Sequence, residues 1–180
     1  GLLGASAGLA LRAAGFKGSI VGWNRGEAGA QAALKMGAID SIASDGLIAA
    51  QQSQLVLLAV PIFATLDWME QLADTLGPDQ LVTDVGSTKT HIASAAARLY
   101  NEPGRAAFLP GHPMAGKERG GALLADAQLF RGTVWLFTDD PSARRSEMAT
   151  ALATEWREWV VAMGSRTLDI DPTRHDELVA

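Results

Sequence analysis

The sequence predicts an α/β protein built on a doubly wound, mostly parallel sheet. Three observations carry this expectation. Short apolar runs alternate with longer segments of helical patterning along most of the 180 residues, the signature of successive strand–helix units. One run, residues 55–60 (LVLLAV), has no polar position, as a strand buried on both faces requires. And the chain opens on GLLGAS, a glycine-punctuated turn leading into a helix.

Taken in order, residues 5–14 read as a first helix, ended by the break at Gly15 and Gly18. Residues 19–23 (SIVGW) form a strand and 28–36 a helix. The apolar run 55–60 is the next strand, followed by a helix over 62–76. A turn at GPDQ introduces a short strand at 81–84, and residues 87–100 return as a helix. Strands follow at 108–109 and 133–137. A longer helix is expected over 142–163, where Met148, Leu152, Trp156, Trp159 and Met163 recur at steps of three and four. Two of the five tryptophans therefore belong to the core on periodicity alone. After Met163 a strand and a helix starting at Pro172 are expected, with the chain truncated at both ends.

Composition excludes several function classes. With 48% hydrophobic and 19% charged residues the chain suits an ordinary globular domain. The net charge is −5 and Lys and Arg do not cluster, so nucleic acid is not an expected partner. No apolar run approaches the roughly 18 residues of a membrane span. The absence of cysteine excludes disulfides and thiolate metal sites and accords with a cytoplasmic home. His91, His112 and His175 are too scattered in sequence to suggest paired helical ligands, so no metal is expected.

Three stretches carry chemistry. In GLLGAS, Gly1 and Gly4 fit the second and third glycines of a G-x-G-x-x-G dinucleotide fingerprint, with the first glycine and its strand expected upstream. A helix N-terminus there offers free N–H groups and a positive dipole end to a pyrophosphate; a tight strand–helix turn without a ligand fits the glycines equally well. Twenty residues after Gly4 the next strand ends in Trp23-Asn24-Arg25-Gly26, where a ribose-reading residue belongs. In TDVGSTKT (83–90), Ser87 reads as a helix N-cap, open to a ligand contact as well. Lys89 in the first turn is electrostatically uncomfortable, which either a bound anion or full solvation relieves. In PGHPMAGKERGG (110–121), His112 is expected in a loop beyond a strand end, where open α/β sheets bind ligands and where a histidine suits base chemistry.

GLLGAS, LLAVP, TDVGSTK, GHPMAGKERGG, LFRGTVWLFT and HDELVA, in this order, resemble the prephenate dehydrogenase family, which includes arogenate and cyclohexadienyl dehydrogenases. The paired motifs DVGSTK and GHPMAG are far more specific than the glycine turn. The resemblance implies a Rossmann-type nucleotide-binding domain over residues 1–165. Residues 166–180 then begin the linker to a helical domain through which a homodimer forms. It also implies NAD(P)-dependent oxidative decarboxylation of prephenate or arogenate in tyrosine biosynthesis.

Residue by residue, the resemblance gives His112 the role of the catalytic histidine at the substrate hydroxyl. Ser87 orients that histidine and touches substrate and nicotinamide. Lys89 is an anion contact, Glu118 lies near the substrate entrance, and His175, beside Asp176, belongs to the substrate pocket. Gly1, Leu2, Leu3 and Gly4, the strand end Ala59-Val60-Pro61, and Asn24-Arg25 border the cofactor. Two positions depart from the family pattern. Asn24 stands where an acid is common, and Pro110 where a glycine is frequent. The family's arginine for the substrate side-chain carboxylate belongs to the helical domain, so the resemblance leaves prephenate and arogenate both open. The cofactor is expected to be NADP or either dinucleotide, because Arg25 offers a planar fork to a phosphate. Two rivals are another hydroxyacid dehydrogenase of this fold and a non-catalytic nucleotide sensor. The joint presence of Ser87, Lys89, His112 and His175 argues against both.

Overall fold

A computed structural model describes residues 1–180. Helix α1 (Leu2–Ala13) leads to β1 (Val21–Gly22), α2 (Glu27–Lys35) and β2 (Ser41–Ile42). Then come α3 (Gly46–Gln51), β3 (Leu55–Leu58), α4 (Ile62–Ala73), β4 (Leu81–Asp84) and α5 (Thr90–Leu99). The rest is β5 (Ala107–Leu109), β6 (Gly111–Pro113), β7 (Val134–Phe137), α6 (Glu147–Ala162), β8 (Arg166–Asp169) and α7 (Pro172–Val179).

The strands form three hydrogen-bonded groups. β1 pairs with β2 and β3-β4-β5 pair in sequence order, all parallel. In the third group β6 runs antiparallel to β7, which pairs parallel with β8. The sheet is thus mostly parallel, as expected of a Rossmann-type arrangement. β4 is buried over its whole length, and its alternate side chains enter different cores. Leu81 joins Leu109, Trp135, Phe137 and Trp156 under α1 and α6. Val82 faces the opposite way, into Met69, Leu72, Ile92 and Phe108 under α4 and α5. The period-two pleat of one strand therefore explains why helices cover both sheet faces.

Several elements differ from their sequence expectation. α1 begins at Leu2, with Gly1 at its cap position, rather than at residue 5. α6 begins at Glu147, because Ser146 Oγ accepts from the N–H of Ala149 at 3.0 Å. The preceding residues turn instead, with Asp140 accepting from both the N–H and the hydroxyl of Ser142. Trp156 is buried as expected, while Trp159 is half-buried and meets Phe16 edge-on at 5.2 Å. β2, the short α3 capped by Asp45, and β6 were not legible as elements. β8 extends the β6–β7 group, and α7 packs against α5.

Candidate nucleotide and proton-transfer site

His112 sits in the middle of β6, opposite Leu136 of β7, and not in a loop. The flanking Gly111 and Pro113 suggest a loop, yet each has a reason to be in this strand. A Cβ on Gly111 would lie 2.8 Å from Trp135 Nε1 and 2.9 Å from the carbonyl of Asp84. Pro113 ends the strand, where a missing N–H matters little. The N–H of Gly111 donates to Asp84 Oδ1 at 3.0 Å, which ties β6 to the end of β4.

Asp84 is the hub of this corner. Its Oδ2 accepts from the N–H of Gly86 at 2.8 Å and from Lys89 Nζ at 2.5 Å, and both side chains are fully buried. Burial pushes the Lys89 ammonium below its ordinary value, and the Asp84 carboxylate opposes that shift. The anion contact or solvated lysine expected at Lys89 is thus replaced by an inward ion pair. An acid at a strand end five residues before a lysine was the signal available for it.

α5 starts at Thr90, three residues later than expected, and Ser87 does not cap it. The cap comes from α7. Asp176 accepts from the N–H of Lys89 at 2.7 Å and from the N–H of Thr90 at 2.9 Å. Burial raises the Asp176 carboxyl, but hydrogen bonds from the Thr90 side chain, from the N–H groups of Lys89 and Thr90 and from His175 outweigh it and hold it below its ordinary range. α7 itself is fixed by Asp171, whose side chain accepts from Thr173 and Arg174, with Pro172 as first residue.

His175 of α7 is fully buried. Its Nδ1 lies 2.8 Å from Asp176 Oδ1, and its Nε2 lies 2.8 Å from His112 Nδ1. The two imidazoles are tilted by 59° with centroids 5.0 Å apart. His112 keeps partial exposure, and its pKa is pushed down to about 4, first by burial and then by His175 and Lys89. It is a neutral imidazole at pH 7. Ser87 is exposed in the turn before α5, and Glu118 is exposed in the segment after β6. The structure thus brings His112, His175, Asp176 and the Lys89 backbone into one cluster.

A second group of residues lies at the start of α1 and after β1 and β3. Gly1 stands at the N-cap of α1 with no side-chain cap hydrogen bond, and Leu2, Leu3 and Gly4 follow in the first turn. A Cβ on Gly4 would lie 3.1 Å from the Cβ of Ala59, so α1 approaches the end of β3 closely enough that a larger residue needs Ala59 to give by a few tenths of an ångström. Val60 is half-buried beside Ala59, and Pro61 caps α4. Asn24 and Arg25 are exposed after β1, where Asn24 Nδ2 donates to the carbonyl of Gly26 at 2.7 Å. Next to them an open cleft of about 430 Å³ lies between Trp23, Asp45, Asp67 and Trp68.

The parallel sheet, the glycine-capped helix N-terminus and the exposed strand-end loop define a nucleotide-binding domain of Rossmann type. Residues 7–159 match the family model described as the prephenate dehydrogenase nucleotide-binding domain. The chain belongs to the prephenate dehydrogenase family. A prephenate dehydrogenase of Lactococcus lactis is 32% identical over 179 residues, which is 99% of this chain and 46% of the relative. Among solved structures, Synechocystis arogenate dehydrogenase has a TM-score of 0.82 at 28% identity, covering 99% of this chain and 56% of that one. Prephenate dehydrogenase from Aquifex aeolicus, in complex with hydroxyphenyl propionate and NAD+, has a TM-score of 0.83. It is 24% identical, covering 98% of this chain and 59% of that one, and so speaks to the fold. The chain spans about half the length of the curated relatives it matches.

Proposed function

We propose that this domain serves an NAD(P)-dependent dehydrogenase that oxidatively decarboxylates prephenate or arogenate in tyrosine biosynthesis. One observation carries the reading: a half-buried histidine, neutral at pH 7, on a strand tied to the end of β4. The relatives named for this reaction support the substrate class.

In this reading the first turn of α1, from Gly1 to Gly4, holds the pyrophosphate, and Ala59, Val60 and Pro61 border the nicotinamide. When bound, the nicotinamide would supply the hydride acceptor for the carbinol carbon of the substrate. His112 accepts the hydroxyl proton as the carbon–oxygen double bond forms. The ring carboxylate leaves as CO2, its bonding pair completes the aromatic ring, and the proton returns to the ring oxygen. Ser87 borders substrate and nicotinamide, Glu118 lies near the entrance, and Lys89 contributes its charge from behind the site, through Asp84. The reading extends to a cytoplasmic homodimer.

The cofactor preference we assign is NADP or dual use. Asn24 carries no charge to repel a 2′-phosphate, and Arg25 is exposed beside it with no acidic partner.

In the intact protein, His112→Asn is expected to lower kcat by about 10²–10⁴ while dinucleotide affinity stays within twofold. Prephenate and arogenate are each assayed with NAD and NADP. A loss confined to the KM for the dinucleotide would overturn the assignment of His112.

A further inference from the structure

We propose that Asp176 is a positioning residue for the proton transfer, acting through His175 to fix which nitrogen of His112 carries its hydrogen. The proposal rests on His112 being the base. One line of contacts runs from α7 to β6.

The starting point is the carboxylate. Asp176 receives two backbone N–H groups from the start of α5, at 2.7 and 2.9 Å, and is an acceptor only. The contact at 2.8 Å between its Oδ1 and His175 Nδ1 therefore requires the hydrogen on that nitrogen. With its hydrogen at Nδ1, the His175 ring offers a lone pair at Nε2. Across the second contact, also 2.8 Å, His112 Nδ1 must be the donor. Its own lone pair is left at Nε2, the nitrogen with no partner within the protein. A hydroxyl proton can be accepted only there. The carboxylate thus selects the reactive tautomer of an imidazole it does not touch, because each ring passes on the constraint that it receives.

The same contacts fix the ring in space. His112 makes no other side-chain hydrogen bond, and Ser87 is exposed and contributes none. His175 is fully buried, so water does not compete for its Nε2. When His112 takes a proton at Nε2, its Nδ1–H still points along the contacts toward the negative charge of Asp176, which stabilises the cation. The other charged groups facing the pair are Lys89, which opposes that cation, and Asp84, which neutralises Lys89.

The test reads the tautomer directly. ¹⁵N NMR of the intact protein at pH 7, without substrate, is expected to give a protonated Nδ1 and a bare Nε2 for His112. A hydrogen on Nε2 in the wild-type protein would overturn the proposal with no variant needed. His175→Ala is expected to move His112 to a mixture of tautomers. It should lower kcat about tenfold to a hundredfold, with the dinucleotide Kd unchanged, and added imidazole should restore part of kcat. Asp176→Asn should lower kcat in the same direction, although it also weakens the start of α5. If His112→Asn abolishes turnover while His175→Ala keeps kcat within twofold, the relay is wrong and the base assignment stands. If His112→Asn itself retains kcat, the underlying reading fails.

Discussion

The ammonium of Lys89 and the carboxylate of Asp84 meet at 2.5 Å with no exposure on either side chain. Two charges taken out of water are costly, and their mutual attraction offsets that cost only if the remaining hydrogen-bonding capacity is used. Here Asp84 also receives the N–H groups of Gly86 and Gly111, so one carboxylate joins the end of β4, the turn before α5 and the start of β6.

Removing one partner strands the other. Lys89→Met leaves a buried carboxylate without its counter-charge, a loss of about 3–5 kcal/mol. For a domain of this size that lowers Tm by about 6–20 °C. The double variant Lys89→Met/Asp84→Asn is expected to recover part of the loss in thermal unfolding. Strict additivity of the two single effects would show that the pair is not coupled.

Acid should weaken the fold through His112. His112 is pushed from its ordinary 6.5 down to about 4 in the folded protein. Between those values the unfolded chain binds more protons than the folded one, so stability rises with pH and falls as acid is added. Asp176, held below its ordinary 3.8, contributes stability that is lost only at lower pH. Urea unfolding from pH 7 to pH 4 should show a decline that His112→Gln makes shallower. An unchanged slope in that variant would remove His112 as its source.

The glycines of α1 are not equivalent. A Cβ on Gly8 would lie 2.0 Å from the carbonyl oxygen of Ala38, whereas one on Gly4 would meet the Cβ of Ala59 at 3.1 Å. Gly8→Ala is expected to cost roughly 1–3 kcal/mol through overpacking. Gly4→Ala should cost less, because the helix propensity of alanine, worth about 1 kcal/mol, offsets a milder clash. Calorimetry of both variants checks the order, and a reversed order would mean that α1 does not seat on Ala38 as described.

Dinucleotide choice should respond to Arg25. Arg25→Ala is expected to lower kcat/KM for NADP about tenfold or more, the scale of a lost charged hydrogen bond, and to leave NAD nearly unchanged. A strong NAD preference that the substitution does not alter would show that this loop does not read the ribose.

The sequence was most informative where structure is local. LVLLAV announced β3, whose Leu55 and Leu57 pack on one core and Val56 and Leu58 on the other, although all but Leu58 keep partial exposure at the sheet edge. The capping of α6 by Ser146 lies within the reach of local rules as well, although the apolar period alone led to an earlier start. What stayed hidden depends on distant partners. The cap of α5 comes from 86 residues away in Asp176, so the rule favouring serine at a helix start pointed to Ser87 instead. His112 and His175 are 63 residues apart, and no periodicity relates them. β6 exists only because β7 supplies its partner.

The dependence of α5 on Asp176 also has a meaning in time. A ribosome delivers α5 and His112 long before it delivers α7. In the interval, the first turn of α5 exposes bare N–H groups and His112 has no second ring to face. Domains fold progressively as they emerge, yet this corner cannot be finished until nearly the whole described chain has been synthesised. A nascent chain stopped after β7 would hold a largely built sheet around an unordered histidine.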